Sequence, residues 1–343
     1  MSTKKYKIVK SESIVYKGRT LYRIKALKTF CVARTAISIV VKKGELGGFI
    51  ETENNLSQEG YCWIFNNAKV YDDARVSEDA KICGGAEIFD SAEVFGNAEI
   101  SGNTQIFYGA HVCGNAKVYG YAKVCGKARV YGKAKVCNFA KILDNAQVYD
   151  NAKIYENAIV AGDVQIYHNA QVYGNAWIYD DALICDNARI YGLAKIFNKA
   201  IVYGNAKVYG NAQIFGEAVV YGNAEVYENA EIFDYAFIFG DAKIGGDKII
   251  KEGNYFFKSF TDIEALNEIK TVCYKISFAV RVIELKLPIE QGYIESLVSQ
   301  FAEYNELADS FRGRTYYLSP KEKEILAMLS QCKKDVKILK KVK

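Results

Sequence analysis

The hydrophobic and polar positions of the chain recur with a period of six residues over more than half of its length. Valine or isoleucine stands at every sixth position from Ile64 to Ile244, which makes 31 consecutive hexads without an insertion. Four residues after each of the first 30 of these, from Ala68 to Ala242, comes a small residue, which is alanine everywhere except at Thr104 and Val164. A register kept over this many units is typical of a repeat protein in which each unit packs on its neighbours.

Each hexad predicts a short strand followed by a corner. In the hexad around Val208, alternate side chains point to opposite faces, so Ala206 and Val208 share one face while Lys207 and Tyr209 share the other. The Gly-Asn pair that follows tolerates a positive φ and turns the chain. A strand this short cannot bury its apolar face alone, so we expect the hexads to wind into a solenoid with the aliphatic and alanine positions inside.

This pattern resembles the hexapeptide-repeat family of left-handed parallel β-helix proteins, in which three hexads form one triangular coil. The resemblance implies 18-residue coils, about ten of them here, and a left-handed winding. The opening region is also similar to the start of the uncharacterised YdcK-like bacterial proteins and of phage and prophage proteins. The segments that carry this second resemblance are 21–27 (LYRIKAL), 47–51 (GGFIE) and 55–64 (NLSQEGYCWI).

The segments on either side of the hexads have a different character. The first contains β-like runs punctuated by glycines and predicts a β-rich cap, because an uncovered solenoid end would expose strand edges. The last carries apolar residues at helical spacing, in helices predicted at about 261–285, 291–312 and from 319 onward. The sequence therefore predicts an N-terminal β cap at 1–60, a β-helix at 61–246 and an α-helical domain at 247–343.

Charge and cysteine spacing favour a cytoplasmic protein without a metal or cofactor. The formal charge is +5, the basic N-terminus precedes no apolar segment, and no apolar run is long enough to span a membrane. None of the nine cysteines forms a C-x-x-C pair, so zinc has no local support. Five of them follow the aliphatic position and point outward, and those on one side lie three or four coils apart. We therefore expect reduced thiols rather than disulfides.

The chain has two candidate catalytic bases, His111 and His168. The resemblance to hexapeptide acyltransferases implies a histidine base, often beside loops that leave the coils. Here the two histidines belong to hexads three coils apart, about 14 Å along the axis, and no loop interrupts the hexads. The sequence therefore favours solvated surface positions for both, with catalysis as the alternative.

One side of the predicted solenoid carries an apolar stripe over four successive coils. Its members, two per coil, are Leu183 and Cys185, Ile201 and Tyr203, Val219 and Tyr221, and Phe237 and Phe239. Apolar surface of this extent is seldom left bare. Two alternatives remain open: the C-terminal helices fold back over the stripe, or the stripe is an oligomer or partner interface.

A second side combines cations with aromatic residues. The cationic positions are Lys117, Lys135, Lys153, Arg189 and Lys207, with Gln171 among them, and the tyrosines that follow include Tyr155, Tyr173, Tyr191 and Tyr209. Such a row can bind an anionic polymer, because cations contact phosphates and rings stack on bases. The alternative is a solvated side on which tyrosines stack on one another.

Taken together, these features predict a non-catalytic binding or scaffold protein that presents flat faces to a protein partner. The resemblance to phage and prophage proteins implies a phage- or prophage-encoded factor that binds a host complex. A hexapeptide-type acyltransferase and a nucleic-acid-binding scaffold are the alternatives. The sequence leaves open the identity of the partner and whether the chain forms a homo-oligomer.

Overall fold

A computed structural model of the protein describes residues 4–32, 39–238 and 242–250, together with nine residues of the C-terminal segment. The chain divides into two compact units. One consists of Met1–Phe239 and Lys243–Gly253, and the other of Gly240–Ala242 and Asn254–Lys343. The first unit is mainly β, and its dominant element is a parallel β-solenoid.

Every hexad of the solenoid forms a strand of two residues, and strands 18 residues apart pair in parallel. Lys69 pairs with Glu87, and Val70 with Ile88, in a register that every later coil repeats. The three strands of one coil belong to three different sheets, so the predicted coil of three hexads is confirmed. The left-handed winding implied by the family resemblance stays a prediction.

The solenoid therefore has three flat sides, each with one strand per coil. The two-residue strands of side 1 are Lys69–Val70, Glu87–Ile88, Gln105–Ile106, Lys123–Val124, Lys141–Ile142, Ile159–Val160, Trp177–Ile178, Lys195–Ile196, Gln213–Ile214, Glu231–Ile232 and Ile249–Ile250. Those of side 2 are Arg75–Val76, Glu93–Val94, His111–Val112, Arg129–Val130, Gln147–Val148, Gln165–Ile166, Leu183–Ile184, Ile201–Val202, Val219–Val220 and Phe237–Ile238. Those of side 3 are Trp63–Ile64, Lys81–Ile82, Glu99–Ile100, Lys117–Val118, Lys135–Val136, Lys153–Ile154, Gln171–Val172, Arg189–Ile190, Lys207–Val208, Glu225–Val226 and Lys243–Ile244.

The interior of the coils is packed with the aliphatic and small residues of the hexads. From Ile64 to Ile238 each of these side chains is at most 4% exposed, as the alternation predicts. The one hydroxyl among them, that of Thr104, donates to the backbone carbonyl of Ser101 at 2.6 Å. The interior is therefore a packed apolar core with its polar side chain satisfied.

The corners begin with a residue of positive φ, which is most often glycine and otherwise mainly Asn, Asp or Glu. The acidic residues there also link consecutive coils. Asp180, for example, has a φ of 60°, and its carboxylate accepts a hydrogen bond from the backbone N–H of Asn198 in the next coil at 3.1 Å. These side chains tolerate the left-handed conformation and satisfy a backbone donor at the same time, so their acidity has a structural cause.

The N-terminal segment contains five strands and a short 3-10 turn. They are β1 (Tyr6–Tyr16), β2 (Arg19–Ala26), β3 (Phe30–Val32), β4 (Ile39–Val41), β5 (Leu46–Ile50) and the turn Glu53–Asn55. β1, β2 and β5 pair antiparallel, whereas β5 pairs in parallel with the first full strand of side 1. The predicted β-rich N-terminal segment is thus present, and its last strand joins the sheet of the solenoid.

The solenoid is longer than the ten coils predicted from the hexads. Among the described residues, β5 and the 32 later strands of the three sides make 33, or eleven coils at three strands each. The added strands are β5 at one end and Ile249–Ile250 at the other. β5 lacks the hexad signature because a Cβ at Gly48 would lie 2.4 Å from Ile64 Cγ2 and 2.5 Å from the Ala68 carbonyl oxygen, so the position excludes alanine.

A buried lysine closes the N-terminal end of the coils. Lys5 is 1% exposed, and its Nζ donates to the carbonyls of Cys62 at 3.0 Å and Glu59 at 3.1 Å and contacts Cys62 Sγ at 3.2 Å. Burial lowers the pKa of Lys5, although the thiol opposes that shift. The Trp63 ring packs edge-on against Tyr6 and Phe30 in the same region. These contacts cover the first coil with side chains specific to the cap.

The nine described residues of the C-terminal segment are all helical and fall within the three predicted helices. Leu297 and Phe301, one helical turn apart, are 1% and 6% exposed, and Cys332 and Val336 are buried with the same spacing. This spacing gives each helix an apolar face. The remaining residues of the predicted helical domain lie outside the described part of the chain.

Candidate functional site

The predicted apolar stripe lies on side 2. Leu183, Ile201, Val219 and Phe237 occupy four adjacent strands and pair with one another in register. The first three are half-buried, and Phe237 is 45% exposed. Four apolar side chains therefore follow one another along this side without a polar residue between them.

The second residue of each coil adds to the stripe. The rings of Tyr203 and Tyr221 stack with centroids 5.0 Å apart and planes within 2°. Cys185 is 7% exposed because it lies in the same column as the tyrosine rings and is hydrogen-bonded to Tyr167. Phe239 lies outside the described residues, as do most residues of the helices predicted to cover the stripe. The role of the stripe as an interface stays a prediction.

The rest of side 2 is polar. The five strands before Gln165 expose, in order, Arg75, Glu93, His111, Arg129 and Gln147. The change from polar to apolar outward residues begins at Leu183 and continues to the last described strand of this side. The stripe is therefore a local property of four coils and not a general feature of the repeat.

The predicted cationic row lies on side 3, and two of its members are neutralised. Lys117 Nζ lies 2.9 Å from Glu99 Oε2, and Lys207 Nζ lies 2.8 Å from Glu225 Oε1. The hydrogen bond to Glu225 raises the pKa of Lys207. Within the described chain, Lys135, Lys153 and Arg189 have no ion-pair partner. The unpaired cations of the predicted row thus lie in the middle coils of the solenoid.

The tyrosines of the row stack on one another and form a ladder. The centroids of Tyr155, Tyr173, Tyr191, Tyr209 and Tyr227 lie 4.7 to 5.3 Å apart, and neighbouring planes differ by 2° to 12°. Burial and the neighbouring phenol raise the pKa of Tyr155 to about 12. The stacked-tyrosine alternative therefore describes this side.

The ladder changes the nucleic-acid hypothesis for this side. Both faces of Tyr173, Tyr191 and Tyr209 are covered by neighbouring rings, so a base has no free face to stack on there. The hydroxyl of Tyr155 also donates to Gln171 at 3.5 Å. What the row offers a ligand is three free cations and ring edges, which bind phosphates or carboxylates without reading a base.

The two histidines lie in different environments. His168 stands at a corner with a φ of 54°, and its Nδ1 lies 2.9 Å from Asp186 Oδ1. Its Nε2 lies 4.0 Å from Asp150 Oδ2 in a shallow depression. His111 lies on a strand of side 2, with Nδ1 3.7 Å from Glu93 Oε2. Both rings are exposed, and two strands of side 2 separate their coils.

His168 and Asp186 are two of the three parts that a nucleophilic site needs. A base oriented by a carboxylate activates a nucleophile only when the nucleophile is hydrogen-bonded to the second ring nitrogen. Among the described residues, no hydroxyl or thiol is hydrogen-bonded to that nitrogen. The described strands also follow one another every six residues through the solenoid, without an inserted loop.

The described residues contain no cluster of three or more His, Cys, Asp or Glu side chains that could hold a metal ion. The eight described cysteines are free thiols, whereas Cys273 lies outside the described residues. Cys137, predicted to point outward, is 9% exposed because Tyr119 and Tyr155 flank it in its column and Tyr119 is hydrogen-bonded to it. In the part of the chain that the structure describes, no helix has the length and apolar character needed to cross a bilayer.

A pair of exposed aromatic residues at a corner was not predicted, because the predicted surfaces consist of strand residues and the residues directly after them. Tyr121 and Phe139 are 54% and 56% exposed, and their rings stack at 5.1 Å. Their column, at the corner between sides 3 and 1, holds asparagine in most coils, such as Asn103 and Asn157. The interruption of this asparagine column was the signal that could have identified them.

The models of known protein families give no match to the chain. Comparison with curated proteins gives no match either.

Proposed function

We propose that this protein is a non-catalytic scaffold that binds a protein partner through a flat side of its solenoid, with the stripe on side 2 as the contact. The observation that carries the proposal is the change from Gln147 and Gln165 to Leu183, Ile201 and Val219 along one continuous sheet. Removing adjacent apolar side chains from water is favourable, so such a surface favours association.

The shape of the side supports a protein rather than a small molecule as the occupant. Small ligands bind in concave pockets that enclose most of their surface, whereas side 2 is a sheet of two-residue strands without an inserted loop in its described part. The stacked rings of Tyr203 and Tyr221 are already ordered, so contact with them costs little conformational entropy.

The proposed setting is the cytoplasm of a bacterium, with a phage or prophage as the source of the gene. It rests on the resemblance of the opening segments to YdcK-like bacterial proteins and to phage and prophage proteins. In this setting the scaffold binds a host complex and blocks or recruits it.

The test is affinity capture from bacterial lysate with three forms of the full chain. The stripe variant carries Leu183→Gln, Ile201→Gln and Val219→Gln, which copies the glutamines found earlier on the same side. The control variant carries Ile159→Gln and Trp177→Gln, two neighbouring apolar residues that point outward on side 1. We expect one set of proteins to be retained by the wild type and the control and lost from the stripe variant.

Two results would contradict the proposal. One is capture of the same proteins by all three forms. The other is a wild-type dimer, measured by light scattering, that dissociates in the stripe variant, because the stripe would then bind a second copy of the chain. A third measurement addresses the acyltransferase alternative: acyl-CoA hydrolysis or transfer that disappears in His168→Ala or His111→Ala would replace the scaffold with an enzyme.

A further inference from the structure

A belt of positive charge surrounds the solenoid between residues 100 and 143. This stretch contains seven Lys and Arg residues and no Asp or Glu. It therefore carries a formal charge of +7, whereas the whole chain carries +5 and the remainder −2 (+5 less +7). Cations stand on all three sides here, at Lys123 on side 1, Arg129 on side 2 and Lys135 on side 3.

The belt brings like charges together in neighbouring strands. Lys117 pairs with Lys135 on side 3, and Lys123 pairs with Lys141 on side 1. Like charges directly opposite each other in a sheet are destabilising. Elsewhere on side 3 a carboxylate relieves this repulsion, as between Lys207 and Glu225. Within the described chain, Lys117 is the one belt cation with an ion-pair partner, Glu99. A bound anion would relieve the rest.

The exposed aromatic pair lies at the centre of this charge. Tyr121 and Phe139 occupy the corner between sides 3 and 1, so Lys117 and Lys135 lie on one flank and Lys123 and Lys141 on the other. In later coils the same column forms asparagine hydrogen bonds, such as Asn157 to Asn175 at 3.1 Å. The aromatic pair lacks these hydrogen bonds, and about half of each of the two residues is exposed to solvent.

We infer that this corner binds a single-stranded nucleic acid. The lysine pairs contact phosphates on both flanks, and unpaired bases stack on the outer faces of Tyr121 and Phe139. Only one face of each ring is covered by its partner, in contrast to the inner rings of the side 3 ladder. The inference is independent of the proposed function, because its residues lie on other coils than the stripe.

The aromatic pair decides between the classes of polyanion. A duplex keeps its bases stacked and offers the protein phosphates alone, so exposed rings gain nothing from it. An acidic protein surface offers carboxylates to the lysines but leaves the same rings without a planar partner. Unpaired bases use both features, since cations and aromatic platforms together are typical of single-strand binding.

The experiment measures fluorescence anisotropy of labelled oligo-dT and oligo-rU, each of about 12 nucleotides, with the full chain. The aromatic variant carries Tyr121→Asn and Phe139→Asn, which restores the residue usual in that column. We expect binding to weaken at least about fivefold for each base that no longer stacks. The lysine variant carries Lys135→Gln and Lys141→Gln, and we expect the log–log salt slope to shrink in magnitude by about 1.4. The two probes distinguish DNA from RNA.

A matched control exists four coils later in the same column. Leu193 stands there at the corner, with Arg189 on side 3 and Lys195 on side 1 as its flanks. The variant with Leu193→Asn, Lys195→Gln and Lys199→Gln removes the same number of cations and a protruding apolar side chain, and leaves the cationic row of side 3 intact. We expect it to bind both probes like the wild type. Far-UV circular dichroism and thermal unfolding verify that each variant keeps the fold.

Three outcomes would overturn the inference. The first is the absence of salt-dependent binding to either probe by the wild type. The second is an equal loss in the control and in the belt variants, which would indicate a general effect of charge. The third is unchanged binding in the aromatic variant together with equally tight binding of polyglutamate or duplex DNA, which would assign the belt to acidic surfaces in general.

Discussion

The repeat region and the N-terminal cap satisfy their backbone groups and bury their apolar side chains by opposite means. In the repeats, each contact recurs 18 residues later, so Asp150 bonds to the backbone of His168 as Asp180 does to that of Asn198. In the cap, each contact occurs once. Lys5 is the donor for carbonyls that have no equivalent in other coils, and Asn55 bridges four backbone groups by itself.

This difference has consequences for tolerance to mutation. A solenoid is stabilised by interactions between neighbouring coils, so damage to one coil is felt mainly by the coils beside it. The cap has no second copy of its contacts, so the loss of one side chain leaves its partners unsatisfied. We therefore expect the repeats to tolerate many changes at outward and corner positions, and the cap to tolerate few.

The largest effect is expected from a charge placed inside a coil. Val148→Asp buries a carboxylate among aliphatic and alanine side chains that are fully buried, and we expect it to lower the free energy of unfolding by about 4 kcal/mol or more. Gln147→Asp is the matched control, because the neighbouring side chain points outward; its effect should stay below about 0.5 kcal/mol. Urea unfolding followed by circular dichroism measures both. Equal losses would show that the alternation of inward and outward residues is wrong.

The second effect tests the unique contacts of the cap. Lys5→Met fills a similar volume but removes the donor for the carbonyls of Glu59 and Cys62, and we expect a loss of about 3 kcal/mol. Lys4→Met is the control, since Lys4 forms an exposed ion pair with Glu53 and should matter by less than about 1 kcal/mol. Hydrogen exchange should show faster opening of β1 and β2 in Lys5→Met alone. Unchanged protection of the β1 and β2 amides in Lys5→Met would show that the contacts of Lys5 do not stabilise the cap.

The third effect compares two glycines. Gly48→Ala places a Cβ against the backbone of Ala68 and the side chain of Ile64, and we expect a loss of about 2 kcal/mol from overpacking. Gly246→Asn changes a corner glycine with a φ of 74°, whose Cβ would meet nothing nearer than Glu228 Oε2 at 3.8 Å, into a residue that other corners already use, and should cost below about 1 kcal/mol. Thermal unfolding orders the two variants. The reverse order would mean that the corners, and not the cap, demand glycine.

The smallest effect is the pH dependence of stability, and its direction differs between the N-terminal cap and the repeats. Burial raises the pKa of Glu87, but hydrogen bonds from Lys17 and Tyr16 outweigh burial and lower it overall. A carboxyl group with a lowered pKa stabilises the fold above its ordinary pKa of about 4.3 and loses that contribution as the pH falls further. Acid should therefore loosen the β1–β2 hairpin, and Glu87→Gln should remove this pH dependence. Protection of the hairpin amides against exchange measures it.

The stacked tyrosines of sides 2 and 3 give the opposite pH dependence. Burial and the neighbouring ring raise the pKa of Tyr155 to about 12, and a hydrogen bond to Cys185 with burial does the same for Tyr167. A phenol with a raised pKa stabilises the fold below its ordinary value of about 10, and this contribution is lost as the pH rises to about 12. Absorbance near the phenolate band should show a fraction of tyrosines titrating late in the folded protein. Titration of all of them near the ordinary value would contradict the stacked ladder.

The repeats could be predicted from the sequence because one period determines the neighbours of every residue. Thr104 and Val164 were correctly predicted to lie inside although neither matches the alanine consensus. The extra strand at the start could not be predicted, because β5 has Gly48 where the hexad has alanine. The contacts of β5 with β2 and Ile64 join segments that are not related by the six-residue period, so the period does not predict them.

The surfaces were only partly predictable. Strand residues 18 apart were correctly placed in common columns, which gave the positions of the stripe and the cationic row. The stacking that covers both faces of Tyr173 was one of the two alternatives, whereas the burial of Cys137 by the neighbouring rings of its own column was missed. The exposure of a side chain depends on the size of its neighbours as well as on whether it points inward or outward. The same reason explains why Tyr121 and Phe139, which protrude among asparagines, were overlooked.

Both proposed surfaces depend on one geometric claim, that residues 18 apart lie in one column on one side. Spin labels at Arg75→Cys and Gln165→Cys, in a chain whose native cysteines are replaced, test it by electron–electron dipolar spectroscopy. Five coils separate these positions on side 2, so we expect one narrow distribution near about 24 Å between their backbones. A distance beyond about 35 Å, or two distances, would mean that the coils do not close after three strands, and the stripe and the belt would then not exist as surfaces.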